Sequence, residues 1–122
     1  MNNKIREPER AIQKAVFDHF RERAAPGVFA FHPINGGVHQ IGKRRGINSG
    51  QGVVSGVPDV VILRAGTCYM LELKKLGGKL SAIQIACHEK LKTAGVIVHT
   101  AYGLSDALAW LEQYSFLKGK AA

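Results

Sequence analysis

Apolar residues recur along the chain with two different periods, and each change of period marks an element. Pro8 suits a first helical position, and Ala11, Ile12, Ala15, Val16 and Phe20 repeat at helical spacing. This predicts a helix from about Pro8 to Ala24, ended by Pro26-Gly27. Val28-Phe29-Ala30-Phe31 reads as a short strand. From about Pro33 to Val57 the period is lost, and seven of the fourteen glycines fall there. A loop that long in a small domain is usually functional or mobile. Order then returns. Val60-Val61-Ile62-Leu63 predicts a buried strand, Ala65-Gly66 a tight turn, and Cys68 to Lys74 a second strand that Gly77-Gly78 breaks. Ser81 opens a helix with Ile83, Cys87, Leu91 and Ala94 on one face, closed by Gly95. Val96-Ile97-Val98 predicts another buried strand, and Ser105 caps a last helix carrying Leu108, Trp110 and Leu111. The order α-β-loop-β-β-α-β-α has no internal repeat. It predicts the α/β class, a small mixed sheet with helices on its faces.

A chain of 122 residues leads to the expectation of one domain, spanning residues 1–122. With 46% hydrophobic and 21% charged residues it is not a disordered polymer. No apolar run approaches the ~18 residues of a membrane span, so no membrane partner is expected. Met1 to Arg10 lacks the apolar stretch of a signal peptide, and the reading is therefore cytoplasmic. Cys68 and Cys87 then read as reduced, buried thiols, and without CxxC or an H-x3-5-H pair a structural zinc site is not expected.

Charge narrows the partner. Seventeen Lys and Arg against nine Asp and Glu give a net charge of +8, which favours a polyanion, most often nucleic acid. Between Glu22 and Asp59 there is no acid, while Arg23, Lys43, Arg44 and Arg45 fall inside that gap. A glycine-rich, acid-free setting favours a phosphate-contacting arm for Lys43-Arg44-Arg45 over a solvated charge run.

The predicted hairpin carries the chemistry. With Ala65 and Gly66 as its two loop residues, Asp59 stands directly opposite Glu72, with Cβ atoms roughly 5 Å apart. Alternation puts Lys74 on the face of Glu72 and turns Leu71 and Leu73 to the other. Two carboxylates held together repel, and Mg²⁺, which takes one or two carboxylates plus water and phosphate, would resolve the conflict. A solvated Glu-Lys pair at a fraying strand end is the rival reading, and on hairpin geometry alone the two weigh equally. Glu9 and Gln13 tip the balance, since positions 9, 13, 16 and 20 form one stripe facing the sheet. The helix dipole alone also favours Glu9 in a first turn. Ser81-Ala82-Ile83-Gln84 is a capping box, and local physics ranks capping above chemistry for Gln84.

Gly56-Val57-Pro58-Asp59 followed by Glu72-Leu73-Lys74 resembles the PD-(D/E)XK nuclease motif. Glu9-x-x-x-Gln13 and Ser81-x-x-Gln84 are similar to the VRR-NUC (virus-type replication-repair nuclease) branch, and His32-Pro33-Ile34-Asn35-Gly36-Gly37 to its stretch after the first core strand. The resemblance implies a restriction-endonuclease-like αβββαβ core and a metal-dependent DNA endonuclease acting on branched DNA, such as four-way (Holliday) junctions, as a homodimer. It implies that Glu9, Asp59, Glu72 and the Leu73 carbonyl hold Mg²⁺, with Mn²⁺ able to substitute. Lys74 then orients the attacking water and stabilises phosphate charge, and Gln84 assists in positioning. Gln13, His32 and Asn35 join Lys43, Arg44 and Arg45 as DNA-contacting residues. Phe17, Tyr114, Phe116 and Leu117 are candidate interface material, with core packing as the alternative for each.

Two rival functions come from other classes: a catalytically inert DNA-binding module, and an NTP-binding protein using Gly37 to Lys43. That segment nearly matches a P-loop, but Arg44 stands where Ser or Thr holds Mg²⁺. His88-Glu89 lacks the second histidine of HExxH and reads as no metal motif.

Overall fold

The computed structural model describes residues 8–34 and 50–119. Asn35, Lys43, Arg44 and Arg45, with most of the glycine-rich stretch, lie outside the described residues. Helix α1 (Glu9–Arg23) leads into strand β1 (Phe29–Phe31), then β2 (Val60–Arg64) and β3 (Thr67–Lys74). Helix α2 (Ala82–Thr93), strand β4 (Ile97–Tyr102) and helix α3 (Leu104–Gln113) follow. The strands form one mixed sheet in the order β1-β2-β3-β4: the first two pairings are antiparallel, and β3 pairs β4 in parallel through α2. A parallel neighbour requires such a crossover.

The turn chemistry sets the register. Ala65 and Gly66 both have positive φ, 49° and 80°, matching the right-handed twist of the flanking strands. Val60 therefore faces Leu71, as the expected hairpin requires. One sheet face is apolar. Val60, Ile62, Leu71, Leu73 and Ala101 pack there against Ile12, Val16 and Phe20 of α1 and Leu108, Trp110 and Leu111 of α3. The opposite face carries Glu72 beneath α2.

Several expectations shift. Pro8 is the N-cap residue rather than the first helical one, and Gly103, not Ser105, occupies that place in α3. Helix α2 buries Cys87 and His88, whereas Ile83 is 60% exposed, so its inward face is turned from the predicted apolar stripe. Strand β4 is half covered, with Ile97 at its exposed end. Phe116 and Leu117 belong to the core, and Tyr114 packs against it, which removes Phe116 and Leu117 as interface material. Phe17 is half-buried beside a groove of about 260 Å³ between α1 and β1. Both cysteines are free thiols, and burial pushes each up in pKa. Among the described residues no helix is long and apolar enough to cross a membrane.

Candidate active site

The Pro58-Asp59 segment enters β2 at the end of the hairpin, opposite the last residues of β3. Asp59 Oδ2 accepts the backbone N–H of Leu73 at 2.8 Å, which pins its carboxylate to the neighbouring strand. Leu73 reaches the site by its backbone, since its side chain is in the core. Glu72 points to the opposite face and is only 3% exposed. Burial first, then the charge and hydrogen bond of Asp59 beside it, pushes the Glu72 carboxyl up to about 9, against the opposing pull of Lys74. Two carboxyls thus share a water-poor corner with a lysine.

Helix α2 supplies the remaining contacts. Gln84 Nε2 donates to Glu72 Oε2 at 3.2 Å, while its Oε1 accepts from the Ser81 backbone N–H at 2.9 Å and from Lys74 Nζ at 3.4 Å. Ser81 Oγ accepts from the Gln84 N–H at 3.1 Å. Gln84 thus caps its helix and contacts Glu72 and Lys74 at once, its Oε1 shared between the cap and Lys74. His88 Nε2 lies 3.0 Å from Glu72 Oε1, both groups buried. Burial, with the nearby Lys92 charge, pulls the His88 imidazole down in pKa. His88-Glu89, without the second histidine of HExxH, carries no recognisable metal motif in the sequence. The usable signal was its spacing: positions 84 and 88 share a helical face.

Glu9 reaches the same corner from α1. Its Oε2 accepts the Lys75 N–H at 3.2 Å and lies 3.8 Å from Lys74 Nζ. Gln13 is half-buried one turn further along α1. His32 Nδ1 lies 2.7 Å from the Asp59 carbonyl oxygen. A carbonyl only accepts, so Nδ1 carries the hydrogen.

Gly56 permits a close approach between the Asp59 loop and α2. Its φ is +86°, and a Cβ there would stand 2.7 Å from the carbonyl oxygen of Ile83. The loop bearing Asp59 therefore rests directly on the first turn of the helix bearing Gln84.

No three of the described Asp, Glu, His and Cys side chains stand together well enough to hold a metal ion by themselves. An Asp-Glu pair nevertheless suits Mg²⁺, which uses one or two carboxylates and completes its shell with water and phosphate. It does not suit a closed zinc cage.

No family model and no curated protein matches the chain. Among solved structures it is similar to a VRR_NUC domain protein, with a TM-score of 0.71 and 20% identity over 93% of this chain and 92% of the other. At that identity the likeness is one of fold, and it agrees with the αβββαβ core that the motif resemblance implies.

Proposed function

We propose that the chain is a metal-dependent DNA endonuclease, structure-specific on branched DNA such as four-way junctions. The supporting observation is the Asp59–Glu72 pair beside Lys74, with the Glu72 carboxyl pushed up to about 9 by burial and by its neighbour. Such an arrangement costs stability when both acids are ionised, and a bound cation would relieve that cost, which is the pattern of a functional site. In this reading Asp59, Glu72, Glu9 and the Leu73 carbonyl hold Mg²⁺, for which Mn²⁺ substitutes. When bound, the cation acidifies the attacking water and offsets phosphate charge. Lys74 aims that water and stabilises the charge developing on the phosphate. Gln84 holds both Lys74 and Glu72 in place. Gln13, His32, Asn35, Lys43, Arg44 and Arg45 contact the DNA. Replacing Lys43, Arg44 and Arg45 together by Ala should weaken binding to all sequences and flatten its salt dependence.

One chain carries one acid pair, and symmetric incision of a four-way junction needs two, so the working unit is a homodimer. Phe17 and the exposed Phe29 and Phe31 of edge strand β1 offer apolar surface for it. Light scattering should then give twice 13.2 kDa. Matched linear, flapped and four-way DNA incubated with Mg²⁺, Mn²⁺ or chelator tests the activity. Cleavage confined to branched DNA and abolished by chelator supports it. DNA binding with no metal-dependent cleavage of any substrate would leave an inert DNA-binding module in its place.

A further inference from the structure

We infer that His88 is a positioning residue for Glu72, one half of a two-point clamp that α2 places on that carboxylate. The inference rests on the metal-dependent reading above. Glu72 Oε1 lies 3.0 Å from His88 Nε2, and Glu72 Oε2 accepts from Gln84 Nε2 at 3.2 Å. The two partners are four residues apart on one helix and so move as a unit. That helix is itself anchored: the capping box at Ser81 closes its first turn, and Gly56 presses against the Ile83 carbonyl. The clamp thus ties the orientation of Glu72 to the loop that carries Asp59.

Without His88 the carboxyl group loses the partner on Oε1 and regains rotation. His88 is only 4% exposed, and removing one partner of a buried hydrogen-bonded pair leaves the other unpaired, so a variant that keeps the hydrogen bond is the informative control. What the place requires is a hydrogen-bonding partner at the position of Nε2, which holds the Glu72 carboxyl at a fixed angle. Each carboxylate oxygen has two acceptor sites, so both remain open to a cation after accepting from His88 and Gln84.

Calorimetric titration with Mn²⁺ and steady-state cleavage, on wild type, His88→Leu, His88→Gln and His88→Asn, test the clamp. His88→Leu should weaken Mn²⁺ binding on the order of 10–100-fold and lower kcat, leaving KM for DNA unchanged. The Gln amide reaches the place of Nε2 and should restore most of both, while the shorter Asn should not. The Gln-versus-Asn contrast decides the matter even if the Leu variant does not fold. Wild-type Mn²⁺ affinity in His88→Leu, or equal impairment of the Gln and Asn variants, would overturn the clamp alone. Absence of Mn²⁺ binding by the wild type would overturn the metal reading, and the clamp with it.

Discussion

The two faces of the sheet are built from the same strands yet obey opposite rules. On one, Leu71 and Leu73 interlock with α1 and α3 in a continuous apolar core. On the other, Glu72, one residue away, is buried against His88 and Gln84 beside a second carboxyl. Burial stabilises the first face and strains the second. Helix α2 also leaves Ile83 and Ile85 exposed in order to turn its polar residues inward. Full burial of each would contribute ~1.5–3 kcal/mol, so this face forgoes stability that the other keeps.

The largest expected effect separates the faces by activity. Asp59→Ala or Glu72→Gln should abolish Mg²⁺-dependent cleavage while circular dichroism and DNA binding persist, since each removes a metal-binding carboxylate and neither empties the apolar core. Robust cleavage by either variant would remove that acid from the site.

Stability should divide the faces next. Leu71→Ala should cost ~2–5 kcal/mol in denaturant melts. Glu72→Gln should instead stabilise the metal-free protein, by on the order of 1–3 kcal/mol at neutral pH. The sign follows from a folded pKa raised from 4.5 to about 9. Stability from the protonated form is complete below the unfolded value and lost as pH rises through the folded one. The gain from Gln should therefore vanish near pH 4 and grow towards pH 9. A pH-independent difference would show that Glu72 does not carry this strain.

Gly56→Ala probes the contact that joins the Asp59 loop to α2. A Cβ meets backbone there, so the change should cost ~1–3 kcal/mol and lower cleavage beyond what the fraction unfolded explains. Unchanged melting and activity would mean that the two segments move apart freely.

The smallest effect concerns a polar intruder on the apolar face. His99 shares a register position with Leu71 and stacks on Trp110, centroids 5.0 Å apart, and its Nε2 is buried without a partner. Burial lowers its pKa, so the stability it permits at neutral pH is lost as pH falls from the ordinary value near 6.5 through the depressed one. His99→Phe should keep the stack and flatten this acid dependence, by about 1 kcal/mol at most between pH 7 and 5. An identical pH profile would assign the acid sensitivity elsewhere, with His88 the next group to test.

Local pattern alone was enough for the parts of this protein that depend on neighbours in the chain. The Ala65-Gly66 turn and the alternation of β3 place Asp59 opposite Glu72, because turn sterics and a two-residue period act within a few bonds. The capping box at Ser81 was legible for the same reason. The tertiary structure alone decided which side of α2 faces inward, since Ile83 and Gln84 are adjacent and only the carboxylate beneath selects between them. It alone brought His88 to Glu72, His32 to the Asp59 carbonyl and Gly56 to the Ile83 carbonyl. Each of those contacts joins residues 16 to 27 positions apart, at distances set by how helix and loop pack on the sheet rather than by any local propensity.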